Sequence, residues 1–149
     1  WGLVKTPALY RCGISFAGVS DLELMLKDPS DRNADAAIRE LQRLRIGDLA
    51  QGDAFFDAVS PLRQAGRIKA PLLLAHGADD RRVPISHSQR MADALAAQGK
   101  SYEWMVFDGE GHGLTYTASK RRYYRAMLDF LQRHIGSDAT RKSGFAPPA

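Results

Sequence analysis

Hydrophobic positions along the chain change their period several times, and each change marks an element. Leu72-Leu73-Leu74-Ala75, bounded by Pro71 and Gly77, is a short continuous apolar run. That pattern predicts a strand covered on both faces. Tyr102 to Phe107 alternates imperfectly and predicts a second strand, and the aromatic and aliphatic stretch Tyr10 to Phe16 predicts another. Elsewhere the period is helical. Ser20-Asp21 can cap a short helix over Leu22–Leu26 that stops at Asp28-Pro29. Ala34 to Ile46 places Ala37, Ile38, Leu41, Leu44 and Arg45 on one face and closes at Gly47.

Ser60 is placed to cap a short Pro61–Ala65 helix, with Phe55 and Phe56 just before it as core residues. Ser86 to Ala97 predicts a helix with Met91, Ala94 and Leu95 inward and Gly99 at its end. Ser119 to Ile135 predicts a basic amphipathic helix. Its apolar stripe is Tyr123, Tyr124, Met127, Leu128 and Leu131, while Lys120, Arg121, Arg122 and Arg125 form a solvated face. Strands alternating with helices predict an α/β fold with parallel strands.

Composition narrows this only a little. A length of 149 residues with 44% hydrophobic content predicts one domain with a real core. No apolar run approaches the ~20 residues of a membrane helix, so no membrane partner is expected. No charged-then-apolar leader precedes Trp1, and the compartment stays open. The net charge of +4 comes from scattered basic residues and argues against nucleic acid as a partner. Cys12, the single cysteine, has no internal disulfide partner and is expected as a buried structural thiol. The four histidines show no close pairing, and no metal or cofactor is expected.

The candidate chemistry lies in two loops, each placed directly after a strand. One holds Asp79 and Asp80; the other is Asp108-Gly109-Glu110-Gly111-His112-Gly113. In parallel α/β sheets, loops beyond the carboxyl ends of strands carry the site. An acid and then a histidine in such loops is the second half of a Ser-Asp-His arrangement in α/β-hydrolase order. The first half is missing, because the sequence contains no Gly-x-Ser-x-Gly. Ser15, in Gly13-Ile14-Ser15-Phe16-Ala17, lies inside a predicted strand with Gly18 one place late, and reads as a small packing residue. His76 reads as a structural ring at a strand end; His87 and His134 read as helix-surface residues.

His76-Gly-x-x-Asp80-x-Arg82-Val-Pro84, and after it Phe107-x-x-Glu110-Gly-His112-Gly, resembles the C-terminal end of a serine peptidase of the prolyl oligopeptidase family. Trp1 to Ser15 is similar to the segment just after that family's nucleophile elbow. The resemblance spans residues 1–135 and leaves residues 136–149 as a polar, flexible tail. It implies a three-layer α/β-hydrolase portion with parallel strands and an incomplete sheet. The nucleophile, the oxyanion loop and the remaining strands would lie before Trp1.

The resemblance selects Asp80 over Asp79 as the acid, with His112 as the base. Arg82 becomes a donor to a substrate carbonyl, with Arg81 as its rival. The helices between the first and second strands become a variable excursion over the site mouth. The implied partners are a peptide or similar acyl substrate, and an upstream part of the same chain or a second copy along the open sheet edge. Esterases and dienelactone hydrolases share these two loops, and a non-catalytic module pairing through its sheet edge is the reading from a different class.

Overall fold

The computed structural model of the chain describes residues 1–27 and 36–137. The first helix, α1 (Gly2–Lys5), leads through a turn into β1 (Gly13–Phe16). Next come α2 (Leu22–Leu26), α3 (Ala36–Ile46) and α4 (Gly52–Val59), with 3-10 turns at Leu49–Gln51 and Leu62–Arg67 flanking α4. Then β2 (Leu72–Gly77), α5 (Ser86–Ala97), β3 (Tyr102–Phe107) and α6 (Thr117–Ile135) alternate. Among the described residues the strands form a three-stranded parallel sheet in the order β1-β2-β3, the α/β architecture that the pattern predicts.

The middle strand, β2, is buried along its whole length. Leu72 and Leu74 face α5 and α1, packing with Val4, Ala65, Ile68, Met91 and Leu95. By strand alternation Leu73 and Ala75 face the opposite layer, where α6 lies, which is why the stretch Leu72–Ala75 has no polar position. Each such leucine, fully removed from water, contributes about 1.5–3 kcal/mol. On the α6 side the Tyr123 ring packs on Phe16 and Phe107 at centroid separations of 5.2 and 6.2 Å.

The excursion between β1 and β2 is tied down by charge. Asp21 caps α2, its Oδ1 accepting the N–H of Glu23 and Leu24 at 2.9 and 3.1 Å. Arg63 then gathers Asp21, Glu23 and Asp57 around one guanidinium, joining α2, α4 and the Leu62–Arg67 turn.

Several expectations change in detail. β1 starts at Gly13 rather than Tyr10, because Pro71 has no N–H to offer and pairing begins at Gly13↔Leu72. Ser60 does not cap the turn after it; its hydroxyl accepts the N–H of Leu22 instead. Cys12 is only half-buried. Leu41 and Leu44 on α3 are exposed rather than packed. His87 is fully buried, because the loop after β1 folds over the start of α5: the Ser20 N–H donates to His87 Nδ1 at 3.3 Å.

The inward stripe of α6 is rotated from the expected one. Phe130 is buried at 1% exposure, while Tyr124 and Leu128 stand at 54% and 62%. The Asp28-Pro29 stop and the tail beyond Ser137 lie outside the described residues.

Candidate active site

Both loops leave the carboxyl end of the sheet, and the backbone stitches them together. The Ala78 N–H donates to the Phe107 carbonyl at 2.9 Å, and the Asp79 N–H to the Glu110 carbonyl at 2.9 Å. Asp79 itself points outward and is exposed, whereas Asp80 turns in and is buried. Asp80 Oδ1 accepts the N–H of Arg82 at 2.9 Å and of Val83 at 3.0 Å, a local turn that fixes the carboxylate plane. Its Oδ2 lies 2.9 Å from Nδ1 of His112. The structure thus brings Asp80 and His112 together and leaves Asp79 out.

The carboxylate is held ionised. Burial pushes the Asp80 carboxyl upward, but the Val83 N–H, His112 and the Arg82 N–H outweigh it and keep it below the usual carboxylate range. A carboxylate accepts only, so the proton in the Asp80–His112 contact sits on Nδ1 and leaves Nε2 as the free base of the neutral ring. The His112 side chain is 39% exposed while Asp80 is 0%, so one partner meets solvent and the other does not.

The histidine loop has an anchor of its own. The Glu110 carboxylate, inside the loop, accepts the N–H of Thr115 and Tyr116 at the entry to α6. Burial alone would raise its pKa; those N–H groups, the Ser119 hydroxyl and the Lys120 charge bring it below the ordinary range. Its place between two glycines, two residues before His112, is the sequence signal that could have pointed to this bracing role.

Arg81 and Arg82 are both exposed, and Arg82 joins the Asp80 turn through its backbone rather than its guanidinium. Ser15 faces the α5 side of β1, where Ser88 and Met91 line the same cavity, with its Oγ against Gly18. A cavity of about 320 Å³ opens beside β1, lined by Trp1, Leu3, Tyr10, Ile14, Ser15 and Val19, and it includes neither Asp80 nor His112. Among the described residues no cluster of three His, Cys, Asp or Glu side chains is placed to hold a metal ion, and no helix is long and apolar enough to cross a membrane.

The deeper contacts of the site were missed in the sequence. His76 is fully buried behind Asp80, its Nδ1 at 2.7 Å from Ser88 Oγ and its Nε2 at 2.8 Å from the Val83 carbonyl.

Known proteins share the sequence and the fold of this chain. Residues 1–138 match the prolyl oligopeptidase family. Dipeptidyl aminopeptidase BIII of Pseudoxanthomonas mexicana is 28% identical over 138 residues, covering 93% of this chain and 20% of that protein. The uncharacterized peptidase YuxL of Bacillus subtilis is 35% identical over 114 residues, covering 76% of this chain and 15% of that protein. A puromycin-hydrolyzing peptidase of Mycobacterium tuberculosis superposes with a TM-score of 0.75 at 31% identity, covering 89% of this chain and 20% of that structure. The chain therefore spans a fifth or less of the length of these relatives. With a family match over nearly its whole length, the chain belongs to the prolyl oligopeptidase family of serine peptidases, on an α/β-hydrolase fold.

Proposed function

We propose that these residues supply the acid and base of a peptidase site whose nucleophilic serine and oxyanion donors lie on a segment outside residues 1–149. The observation that carries this reading is the 2.9 Å contact between buried Asp80 and half-exposed His112. It is supported by the family match and by the absence of Gly-x-Ser-x-Gly from the sequence. In the proposed reaction His112 Nε2 takes the proton of the serine hydroxyl as it attacks a peptide carbonyl. Asp80 holds the ring in the required tautomer and stabilises the imidazolium. The proton passes to the leaving amine, and water then releases the acyl group by the same route.

On this reading residues 1–135 are the C-terminal part of the catalytic domain and 136–149 a tail. Arg82, exposed beside the Asp80 turn, donates to a substrate carbonyl; a planar guanidinium suits that task. The upstream segment would pair along β1 and fill the cavity beside it. The substrate is a peptide or similar acyl compound.

The test is made on the full reading frame that encodes this chain. A serine elbow upstream and hydrolysis of chromogenic peptide substrates are expected, with His112→Ala and Asp80→Ala each lowering kcat by a factor on the order of 10⁴–10⁶. A full-length protein that hydrolyses such substrates equally well in both variants overturns the reading.

A further inference from the structure

We infer that His76 is a positioning residue: from the interior it clamps the carboxylate that faces His112, and Ser88 fixes its tautomer. The inference rests on the reading of Asp80 and His112 as acid and base, and adds a third member behind them.

The hydrogen-bond partners leave little freedom. A carbonyl oxygen accepts only, so the 2.8 Å contact to Val83 requires the proton on His76 Nε2. In the neutral ring Nδ1 is then an acceptor, and Ser88 Oγ at 2.7 Å supplies the donor from the first turns of α5. The same Nε2 lies 3.3 Å from Asp80 Oδ2, the oxygen that His112 also contacts. One carboxylate oxygen therefore stands between two imidazoles, one solvent-facing and one at 0% exposure.

A ring that served only to fill the core would do so more cheaply as an apolar residue, since a buried polar group is tolerated only when fully bonded. Both nitrogens of His76 are bonded, and both bonds lead to the Asp80 turn or to the helix beneath it. The consequence is mechanical and electrostatic. Oδ1 is held by two backbone N–H groups. On its interior side Oδ2 has the His76 N–H at 3.3 Å, a longer contact of the same proton that bonds the Val83 carbonyl. Turn and carboxylate are thus braced together when His112 gains or loses charge. The ionisable groups that meet here are Asp80 and His112; the Glu110 carboxylate is turned away to Thr115 and Tyr116.

The test is NMR of the ring nitrogens in the protein encoded by the full reading frame, labelled with ¹⁵N-histidine. His76 is expected to stay in the neutral Nε2–H form while His112 titrates, and its Nε2–H signal to shift with the midpoint of His112. His76→Leu removes the N–H that lies beside Oδ2 and holds the Val83 carbonyl, leaves the carboxylate more basic, and raises the His112 midpoint. His76→Gln, whose amide nitrogen reaches the Nε2 position, leaves the midpoint in place.

An Nδ1–H tautomer for His76 overturns the inference. So do equal His112 midpoints in the Leu and Gln variants. If the Leu variant does not fold, the tautomer and the coupled shift in the unaltered chain decide. Asp80→Asn separates the two levels: a His112 midpoint that fails to fall removes the acid–base pair itself. A fall with His76 silent removes only the role given to His76.

Discussion

The Glu110 carbonyl lies so close to Gly77 that a Cβ on that glycine would stand 2.4 Å from it, with the Gly111 carbonyl nearer still at 2.2 Å. The end of β2 is therefore the floor on which the histidine loop rests. Both contacts are backbone, which cannot swing aside as a side chain can. Gly77→Ala is expected to destabilise the chain by about 1–3 kcal/mol and to shift the His112 loop outward. Urea denaturation reads the first effect, and loss of the Asp80 influence on His112 titration reads the second. An alanine variant with unaltered stability would mean that the loop is not seated on β2.

Acid should weaken the site from two directions. Asp80 and Glu110 both have folded pKa values below their ordinary ones. Groups of this kind stabilise the fold above the unfolded pKa, and their contribution is lost as pH falls through the folded value. Stability measured by urea should therefore hold at neutral pH and decline below about pH 4, where unfolded carboxylates protonate. Asp80→Asn and Glu110→Gln should each lower stability at neutral pH and flatten that decline. Asp79→Asn, on an exposed side chain, should leave the curve as it was.

The rotation of α6 gives a sharper contrast. Phe130→Ala should cost about 3–5 kcal/mol, since the ring is fully enclosed. Leu128→Ser, two positions earlier on the exposed side, should stay within about 0.5 kcal/mol. Equal losses would place the helix in a different rotation.

That contrast also shows where the sequence stopped being legible. The apolar run of β2 admits one reading because both faces are covered, and Ser86–Ala97 emerged with its bounds intact. An amphipathic helix with aromatic residues at Tyr123, Tyr124 and Phe130 supports two neighbouring stripes, and only packing against Phe16 and Phe107 chooses between them. The Asp80 and His112 loops were legible because each comes straight after a strand and carries its glycines in sequence. His76, Ser88 and His87 were not, because their contacts depend on how α5 is rotated beneath β2. No local pattern reports that angle.

The last prediction concerns β1. Its Gly13 and Ala17 N–H groups donate to Pro71 and Ala75 of the β2 segment. By strand alternation the amides of Ile14 and Phe16 then point to the other edge, where β1 has no neighbour in the sheet among the described residues. An unpaired edge is a template for another strand, and here the cavity lined by Trp1, Leu3 and Ile14 opens beside it. Purified as 149 residues, the chain should associate through this edge, giving a light-scattering mass that rises with concentration. Ile14→Pro removes one of the outward N–H groups without touching the bonds to β2, and should reduce that rise. A folded chain whose mass stays monomeric at every concentration would show that the β1 edge is already protected, and the proposed pairing of an upstream segment along it would lose its support.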